Sequence, residues 1–377
     1  MSIVEEFTRV YGRAPEVVGS APGRINVIGE HIDYNEGWVL PYAIGYRTSV
    51  AIARRTDASI NLESMQRAGK RVHASAAGLS PDASRGWAEY VLGTLVSLGA
   101  LGGFDVLVDG NVPAGAGLSS SAALECATAS AINLLLDLGR TPAELALAAQ
   151  KAENEFVGMP CGIMDQAVSM MSKRAHALLL DCKTLETEHI PINLADAGLA
   201  LLVIDTQAHH SLVDGGYAAR RASCEEVCAI LGVPSLREVT LEQIEARRGD
   251  LTETQFVRAR HAVTEIERVH AAVAAMRAGE WNTLGELISA SHASLRDDYT
   301  VSCPELDLAV VASMAVGALG ARMVGGGFGG SAIALTHTGL IPAIESAVRD
   351  AFAASGFKAP RFFIATPEDG ATAELVG

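Results

Sequence analysis

The sequence predicts an α+β protein of two domains, from its length, its irregular pattern of segments and its helical second half. The 377 residues exceed what one hydrophobic core usually organises, so two domains are expected. Strand-like and helix-like segments do not alternate regularly, which argues against a doubly wound parallel sheet. We place the domain boundary near residue 195, with one domain over residues 1–195 and the other over residues 196–377. The second domain is mostly helical to about residue 317.

The first domain is predicted to begin with a helix and to continue with strands. Residues 3–11 have the spacing of a short amphipathic helix. Residues 86–100, with Trp87 and Tyr90, are typical of a second helix. Strand-like segments are predicted at residues 16–18, 25–28, 49–54 and 59–62, and residues 104–108 alternate as a strand does.

Helices dominate the remainder of this domain. Apolar residues follow helical spacing over residues 120–138, and Gly139 ends that helix. The next helix begins with a capping box, since Thr141 can cap it, Pro142 suits its first position and Glu144 lies three residues on. It is expected to reach residue 157, and another helix to begin near residue 163. Further strands are predicted at residues 177–180, 199–204, 321–324 and 331–335.

The charge and the apolar runs narrow the classes of function. The net charge is −15, from 29 basic and 44 acidic residues, which disfavours binding to nucleic acid or to an anionic membrane. The first residues are acidic and lack a long apolar run, so no signal peptide is expected. The apolar run at residues 199–204 has the length of a strand and is too short to span a membrane.

The six cysteines have no paired spacing, so we expect reduced thiols and a cytoplasmic location. We also expect a monomer. Cys224 and Cys228 lie on one face of a predicted helix, where they would serve either a metal or redox site or helix packing. Packing is favoured, because no CxxC pair or neighbouring ligand set completes a site.

The most informative segment is a glycine-rich turn that leads into a triple serine and an alanine-rich helix, over residues 113–123. Glycines let a backbone approach an anion closely, and the N–H groups and dipole at a helix start attract phosphate. No Gly-Lys-Ser/Thr ends the turn, so it is not a Walker A loop, and it lacks the Rossmann spacing. It predicts a distinct phosphate loop whose serines cap the helix and offer one hydroxyl to Mg²⁺. The alternative is a capped helix after a turn.

A second segment concentrates polar side chains. Arg24, Glu30, His31 and Asp33 fall within ten positions, after a rigid Pro-Gly pair and between apolar segments. One interpretation is a solvated loop. The other is a site for the vicinal hydroxyls of a sugar, since a polar site of this kind rejects the epimer that leaves its groups unpaired. Together with a phosphate loop, this segment predicts phosphoryl transfer to a sugar.

Two acidic residues are candidates for the chemistry. Asp165 follows a Gly break at a predicted helix start, where it either stabilises the helix dipole or faces the attacking hydroxyl. A helix N-terminus and a nearby Arg favour its ionised form, which suits a loose phosphoryl transition state in which the hydroxyl proton leaves late. Glu153 lies on the preceding helix, as a surface acid or as a second oxygen ligand for Mg²⁺.

Other segments are less specific. Residues 325–330 form a glycine tract between strand-like residues, which favours a hairpin whose backbone touches a ligand over a flexible linker. Tyr217 is typical of a packing residue. The helix at residues 258–270, with Arg258, Arg260, His261 and Glu265, is expected to be a solvated face with one apolar stripe. The polar segment at residues 291–299 is expected at the surface.

These segments together resemble the galactokinase family, in the GHMP superfamily that also covers homoserine, mevalonate and phosphomevalonate kinases. Residues 22–35 resemble the galactokinase signature, and residues 115–121 and 325–331 resemble the second and third superfamily motifs. The first motif is specific to galactokinase-like sugar kinases, whereas the other two identify only the superfamily. Further similarity, which extends the likeness to nearly the whole chain, lies at residues 152–154, 161–166 and 291–306.

The resemblance implies roles for individual residues. Asp165 matches the catalytic aspartate, and Arg24 matches the arginine that stabilises the transition state. Ser121 and Glu153 match the Mg²⁺ ligands. The sugar contacts would be Glu30, His31, Ile32, Asp33, Gly162 and Tyr217. The ATP contacts would be Ser64 and the loop residues Gly115, Ala116, Gly117, Leu118, Ser119, Ser120 and Ser121.

The resemblance also implies a fold and an activity. The N-terminal domain would be like domain 2 of ribosomal protein S5, and the C-terminal domain ferredoxin-like, with the active site between them. The activity would be ATP- and Mg²⁺-dependent phosphorylation of the anomeric hydroxyl of D-galactose, which gives galactose 1-phosphate and ADP and begins galactose catabolism. A kinase for N-acetylgalactosamine or L-arabinose, and a non-catalytic sensor of galactose and ATP, are the alternatives. Departures at Ile32, Trp38 and Tyr42 concern the choice of sugar.

Overall fold

The α+β class is confirmed by a computed structural model, which describes residues 1–209 and 213–377. Its helices are α1 (Ile3–Tyr11), α2 (Ala88–Ser97), α3 (Ser120–Leu135), α4 (Pro142–Lys151), α5 (Met164–Met171), α6 (Val213–Leu231), α7 (Leu241–Ala246), α8 (Glu253–Ala278), α9 (Trp281–Asp297), α10 (Pro304–Val316) and α11 (Ile341–Ala354). Its strands are β1 (Val17–Asn26), β2 (Trp38–Val39), β3 (Pro41–Arg54), β4 (Ser59–Ser64), β5 (Val72–Ser75), β6 (Phe104–Gly110), β7 (His176–Asp181), β8 (Thr187–Pro191), β9 (Leu199–His209), β10 (Gly320–Val324), β11 (Gly329–His337), β12 (Arg361–Ala365) and β13 (Thr372–Leu375).

The strands form sheets of six, four and three members. The six-stranded sheet has the order β13-β1-β3-β6-β4-β5, and only its β4–β6 pair is parallel. The four-stranded sheet β10-β11-β9-β12 is antiparallel throughout, as is the small sheet β2-β7-β8. The largely antiparallel pairing agrees with the irregular order of segments in the sequence.

The last strand returns to the first sheet, where β13 pairs with β1. The division at residue 195 stays a prediction. The pairing of β13 with β1 shows that strands from near both ends of the chain share one sheet. Apolar side chains from Val17 to Ala365 form one continuous main core, so the sheets are not separated by solvent. In the described residues no helix is long and apolar enough to cross a membrane.

Local signals in the sequence explain most helix boundaries. The capping box at Thr141 and Glu144 is present, and Gly12 and Gly279 end their helices in the left-handed conformation that suits glycine. The helix that was expected to run to residue 157 changes at Lys151 into one π-helical turn, Ala152–Val157. Such turns occur often at functional sites, and this one carries Glu153.

Strand β1 is irregular where it enters the site. Its register against β3 shifts between Pro22 and Arg24. At Gly23 a Cβ atom would lie 2.6 Å from the carbonyl oxygen of Leu118, and the Arg24 N–H donates to that oxygen at 3.1 Å. The absence of a side chain at Gly23 therefore lets the loop before α3 pack directly against β1.

Candidate active site

Three segments that are far apart in the sequence enclose one cavity of about 260 Å³. The turn after β1 forms one wall, the loop before α3 a second, and the glycine hairpin between β10 and β11 a third. Their lining residues include Arg24, Glu30, His31, Asp33, Gly117, Ser119, Ser121, Glu153, Gly162, Asp165, Tyr217, Gly325 and Gly326. Most of the residues that the resemblance selected therefore come together in one place.

Asp165 lies in the first turn of α5 and lines this cavity. Arg24 donates to its two carboxylate oxygens through Nε and Nη2, both at 2.8 Å. The Ser119 hydroxyl donates to the same carboxylate, and Arg24 Nη1 donates to the carbonyl of Gly117 at 2.6 Å. The arginine and the serine thus hold Asp165 against the glycine-rich loop.

The serine loop differs from the expected helix cap. Ser119 is the N-cap residue of α3, but it has a φ of 60° and its side chain makes no capping hydrogen bond. The prediction that serines cap this helix is wrong for Ser119, because its hydroxyl is directed to Asp165 instead. A helix start without a side-chain cap leaves its N–H groups available to an anion.

The loop is closely packed against the glycine hairpin. A Cβ atom at Gly325 would lie 2.8 Å from the carbonyl oxygen of Gly117, and one at Gly117 would lie 3.0 Å from that of Val324. Both glycines also have positive φ angles, 84° and 73°. The glycine tract is therefore an ordered connection between two strands that lets two backbones meet, and the linker alternative does not apply.

A second cavity, of about 220 Å³, lies next to the first and shares Ser121 with it. Ser64 lines this cavity, with Trp87 and Tyr90 from the start of α2. Aromatic side chains beside a phosphate-type loop suit the stacking of a planar base.

Ser121 and Glu153 both line the first cavity, and Ser121 also lines the second. Burial, followed by the negative charge of Asp165, raises the pKa of Glu153 to about 7. Glu125 lies next to Glu153 and is fully buried, and burial and the charge of Glu153 raise its pKa as well. Gln166 donates to Glu153 at 2.7 Å and to Glu125 at 3.1 Å.

The sequence did not single out Glu125, although its spacing from Ser121 places both on one face of a helix. Such a group of crowded carboxylates and a hydroxyl has the hard oxygen donors that Mg²⁺ prefers. In the described residues no group of three His, Cys, Asp or Glu side chains has the geometry of a complete metal site. The two oxygens of Ser121 and Glu153 are a partial set, which fits a metal that is also held by phosphates.

Glu30 joins the first motif to the third. Its Oε1 accepts from Gly325 N at 2.8 Å and from Arg322 Nη2 at 3.0 Å. Arg322 is fully buried and also donates through Nε to the carbonyl of Val27 at 2.9 Å. The sequence did not predict Arg322, which lies on an otherwise apolar strand.

His31 is oriented by hydrogen bonds at both ring nitrogens. Nε2 lies 3.1 Å from the carbonyl of Gly326, which can only accept, so this nitrogen carries the proton. Nδ1 then accepts from the hydroxyl of Tyr34, at 2.8 Å. Burial lowers the pKa of His31 to about 3, so the ring is neutral. The ring centre of Tyr217 lies 5.3 Å from that of His31, and the ring centre of Tyr34 lies 6.0 Å from it. The three rings form an aromatic wall, in which Tyr217 takes part.

Asp33 and Gly162 touch across the cavity wall. A Cβ atom at residue 162 would lie 1.9 Å from Oδ2 of Asp33, so only glycine fits. Burial, followed by the charge of Asp165, raises the pKa of Asp33 to about 7. Ile32, by contrast, is completely buried and does not line the cavity.

Two expectations about the second half of the chain are wrong. His261 and Glu265 on α8 were expected on a solvated face, but both are fully buried. In the segment expected at the surface, Ser291 and Tyr299 are also fully buried, because α9 packs between α8 and β10. Polarity alone gave the wrong exposure for these residues, because their polar groups form hydrogen bonds inside the protein. Cys224 is buried against the Tyr299 hydroxyl at 3.3 Å, as packing predicted.

Family models match three parts of the chain. The galactokinase galactose-binding signature matches residues 5–54. The N-terminal domain model of GHMP kinases matches residues 88–173, and the C-terminal model matches residues 272–354. The matched parts contain Arg24 to Asp33, the serine loop, Asp165 and the glycine hairpin.

Individual relatives match over almost their full length. A galactokinase of Streptomyces coelicolor is 46% identical over 376 residues, covering 98% of this chain and 97% of that protein. The human galactokinase is 43% identical over 375 residues, covering 97% of this chain and 94% of that protein. The crystal structure of a Lactococcus lactis galactokinase complexed with galactose superposes with a TM-score of 0.93, at 34% identity and 98% coverage of both chains.

Proposed function

The chain belongs to the galactokinase family, and we propose that its cavity transfers the γ-phosphoryl group of ATP to the anomeric hydroxyl of D-galactose beside Asp165. The observation that carries this proposal is the bidentate pair of Arg24 and Asp165, which lies between the sugar-type turn and the phosphate-type loop. The reaction forms the bond between O1 and phosphorus, breaks the bond between the γ-phosphorus and the bridging oxygen of ADP, and releases the hydroxyl proton.

Asp165 acts on the hydroxyl in this proposal. Its carboxylate accepts a hydrogen bond from the sugar hydroxyl and takes up the proton as the bond to phosphorus forms. Because the transition state of phosphoryl transfer is loose, the proton leaves late and orientation matters more than basicity. Arg24 holds the carboxylate in position and offers positive charge to the transferring group.

ATP binds across the two adjoining cavities. The loop from Gly115 to Ser121 and the start of α3 bind its phosphates through backbone N–H groups. The base occupies the cavity that Ser64, Trp87 and Tyr90 line. This arrangement directs the γ-phosphate toward Ser121 and Asp165, which line the first cavity.

We further propose that Ser121 and Glu153 hold Mg²⁺. Both side chains line the first cavity, and burial, followed by the charge of a neighbouring carboxylate, raises the pKa values of Glu153 and of the adjoining Glu125. When bound, Mg²⁺ would neutralise charge on the nucleotide phosphates. Gln166 keeps Glu153 in place through its 2.7 Å hydrogen bond.

The sugar occupies the part of the cavity between the turn after β1 and the loop before α5. Glu30, Asp33 and the Gly162 backbone face its hydroxyls, and His31 and Tyr217 form the wall. The rigid contact between Asp33 and Gly162 limits the space and therefore the choice of epimer. The role of Ile32 is indirect, through the packing of the turn.

Two properties of the whole protein complete the proposal. All six cysteines are free thiols, which suits a reducing compartment, and we propose a cytoplasmic location. The monomeric state stays a prediction from the sequence.

The test is release of ADP from ATP and Mg²⁺ with D-galactose, beside talose, N-acetylgalactosamine, L-arabinose and glucose. Strong release with galactose supports the proposal. Release only with another sugar would keep the phosphoryl transfer and move the choice of sugar. No release with any sugar, from folded protein that binds ATP, would overturn the catalytic proposal.

A further inference from the structure

We propose that His261 and Glu265, on helix α8, are positioning residues that set the conformation of the sugar-binding turn Gly29–His31. This inference rests on the proposed function, since it concerns how the galactose site is shaped. Neither side chain lines the cavity. Both act on the backbone of the turn, which carries Glu30 and His31 into it.

Glu265 gathers the backbone N–H groups at the beginning of the turn. Its Oε1 accepts from Gly29 N at 3.0 Å and from Glu30 N at 3.4 Å, and also from the Ser291 hydroxyl at 2.6 Å. Its Oε2 accepts from Arg268 Nε at 2.7 Å. Every partner is a donor. Replacing either carboxylate oxygen by the NH₂ group of an amide would therefore set one donor against another.

His261 holds the other polar group of the turn. Its Nε2 lies 3.1 Å from the carbonyl oxygen of Glu30, so this nitrogen donates. Its Nδ1 lies 2.8 Å from the Ser294 hydroxyl on α9. Since burial lowers the pKa of His261, the ring is neutral and Nδ1 accepts from Ser294.

The two residues are four apart on one helix, so they lie on the same face. One accepts from the N–H of Glu30 and the other donates to its carbonyl group. One face of α8 therefore forms hydrogen bonds with the peptide groups on both sides of Glu30. The turn is near the N-terminus of the chain, whereas α8 belongs to the second half, so neither segment forms this geometry alone.

The turn needs such support because its backbone is unusual. Gly29 has a φ of 103° and His31 a φ of 61°. A residue with a Cβ atom rarely adopts the left-handed conformation of His31, and it persists where the surroundings enforce it. The Asn35 side chain adds a hydrogen bond to the His31 carbonyl at 3.0 Å.

The charge of Glu265 is also maintained in the interior. Burial acts to raise its pKa, but the charges of Arg268 and Arg322 and the hydrogen bond from Ser291 outweigh burial and lower it to about 2. Glu265 is therefore a carboxylate at neutral pH. Arg322 in turn donates to Glu30, so the same network reaches the side chain that faces the sugar.

The test compares Glu265→Gln with a matched control, Asp105→Asn. Asp105 is a buried carboxylate that also accepts from several donors, Arg13, Arg55 and Asn61, but it lies on β6, away from the cavity. For Glu265→Gln we expect the KM and the dissociation constant for galactose to rise about tenfold or more, with little change in kcat or in the KM for ATP. Asp105→Asn is expected to lower stability and leave both KM values unchanged.

The proposal is overturned if both variants lose stability and neither changes galactose affinity, or if Glu265→Gln affects ATP and galactose equally. Rescue provides a second measurement on variants with a milder change. His261→Gln can place a donor near the position of Nε2, whereas His261→Leu cannot. Galactose affinity should be close to the wild-type value in the first and weakened in the second, and equal affinities would contradict the proposal.

Galactose affinity is measured by calorimetry on the whole chain, in the absence of ATP. This separates the two proposals, because the binding measurement does not depend on turnover. Wild-type protein that binds galactose but does not phosphorylate it would contradict the proposed function and still allow this test. Should Glu265→Gln not fold, the His261 pair decides the outcome.

Discussion

Arg24 and Asp165 are 141 positions apart in the sequence and joined by two hydrogen bonds of 2.8 Å. The guanidinium fork fits both carboxylate oxygens, which fixes the plane of the acid as well as its position. Arg24 is only 4% exposed and is tied to the Gly117 carbonyl by its remaining nitrogen. The acid, the arginine and the phosphate-type loop are therefore one rigid unit before any ligand binds.

Replacing the acid by its amide should abolish turnover. The amide of Asp165→Asn cannot take up the hydroxyl proton. We therefore expect kcat to fall by about 100- to 10,000-fold. The fold should remain, as measured by circular dichroism and by galactose binding. The control is Glu155→Gln, an exposed acid on the neighbouring π-helical turn, which should keep full activity. Near-normal turnover of Asp165→Asn would contradict its assignment.

Ser119 should contribute to catalysis through Asp165. Its hydroxyl donates to the carboxylate, and a hydrogen bond to a charged group is worth about 1.5–3 kcal/mol. We expect Ser119→Ala to lower kcat about tenfold, with a small change in the KM for galactose. Ser130→Ala, further along the same helix, is the control and should not change kcat. An unchanged kcat for both would remove Ser119 from the catalytic unit.

The sequence predicted the parts of the site that depend on local patterns. The glycine turn and the Gly break before Asp165 each have a signature within a few residues, as the capping box at Thr141 does for the fold. Residues that act over long distances carry no such signature. Arg322 looks like an interruption of an apolar strand, and only the fold brings it to Glu30.

The same distinction explains the error about α8. His261 and Glu265 stand beside Arg258 and Arg260, and this charged run predicts a solvated helix face with one apolar stripe. Their spacing of four residues was the available signal, because it places a hydrogen-bonding pair on one helical face. It could not show that this face is directed at Gly29, since that contact spans 236 positions.

Stability of the free protein should depend on Asp33. Since its pKa is raised from 3.8 to about 7, the folded protein retains a proton that the unfolded chain releases at lower pH. Its contribution therefore becomes unfavourable as the pH rises from about 4, and the full cost is present above about pH 7. Asp33→Asn removes this cost and should weaken galactose binding.

Urea denaturation of ligand-free protein measures this effect. Relative to wild type, Asp33→Asn should gain about 2 to 3 kcal/mol of stability between pH 5 and pH 8. Asp57→Asn is the control, because the pKa of exposed Asp57 is lowered by Arg55, and its stability relative to wild type should not rise over this range. A difference for Asp33→Asn that is constant with pH would contradict the raised pKa.

The absence of a side chain at Gly162 should be needed for galactose binding. In Gly162→Ala the new Cβ atom would displace the Asp33 carboxylate, from which it would otherwise be 1.9 Å. We expect the KM for galactose to rise about tenfold or more, with the KM for ATP unchanged. Gly45→Ala is the control, since a Cβ atom there meets nothing within 4 Å. An unchanged KM for galactose in Gly162→Ala would show that the Asp33 side chain can move aside without loss of binding, which contradicts the prediction.

Arg322 should be required for stability as well as for the sugar site. Arg322→Met leaves the Glu30 carboxylate buried beside the unpaired Val27 carbonyl, and removing one partner of a buried ion pair costs about 3–5 kcal/mol. Arg9→Met removes an exposed pair with Glu6 on α1, and an ion pair in contact with solvent contributes little to stability. Chemical denaturation should therefore show a much larger loss of unfolding free energy for Arg322→Met. Equal losses would mean that water or the surrounding chain compensates the charge of Glu30. The double variant Arg322→Met with Glu30→Gln tests this. Neutralising Glu30 should restore part of the lost stability only if its unpaired charge is the cause.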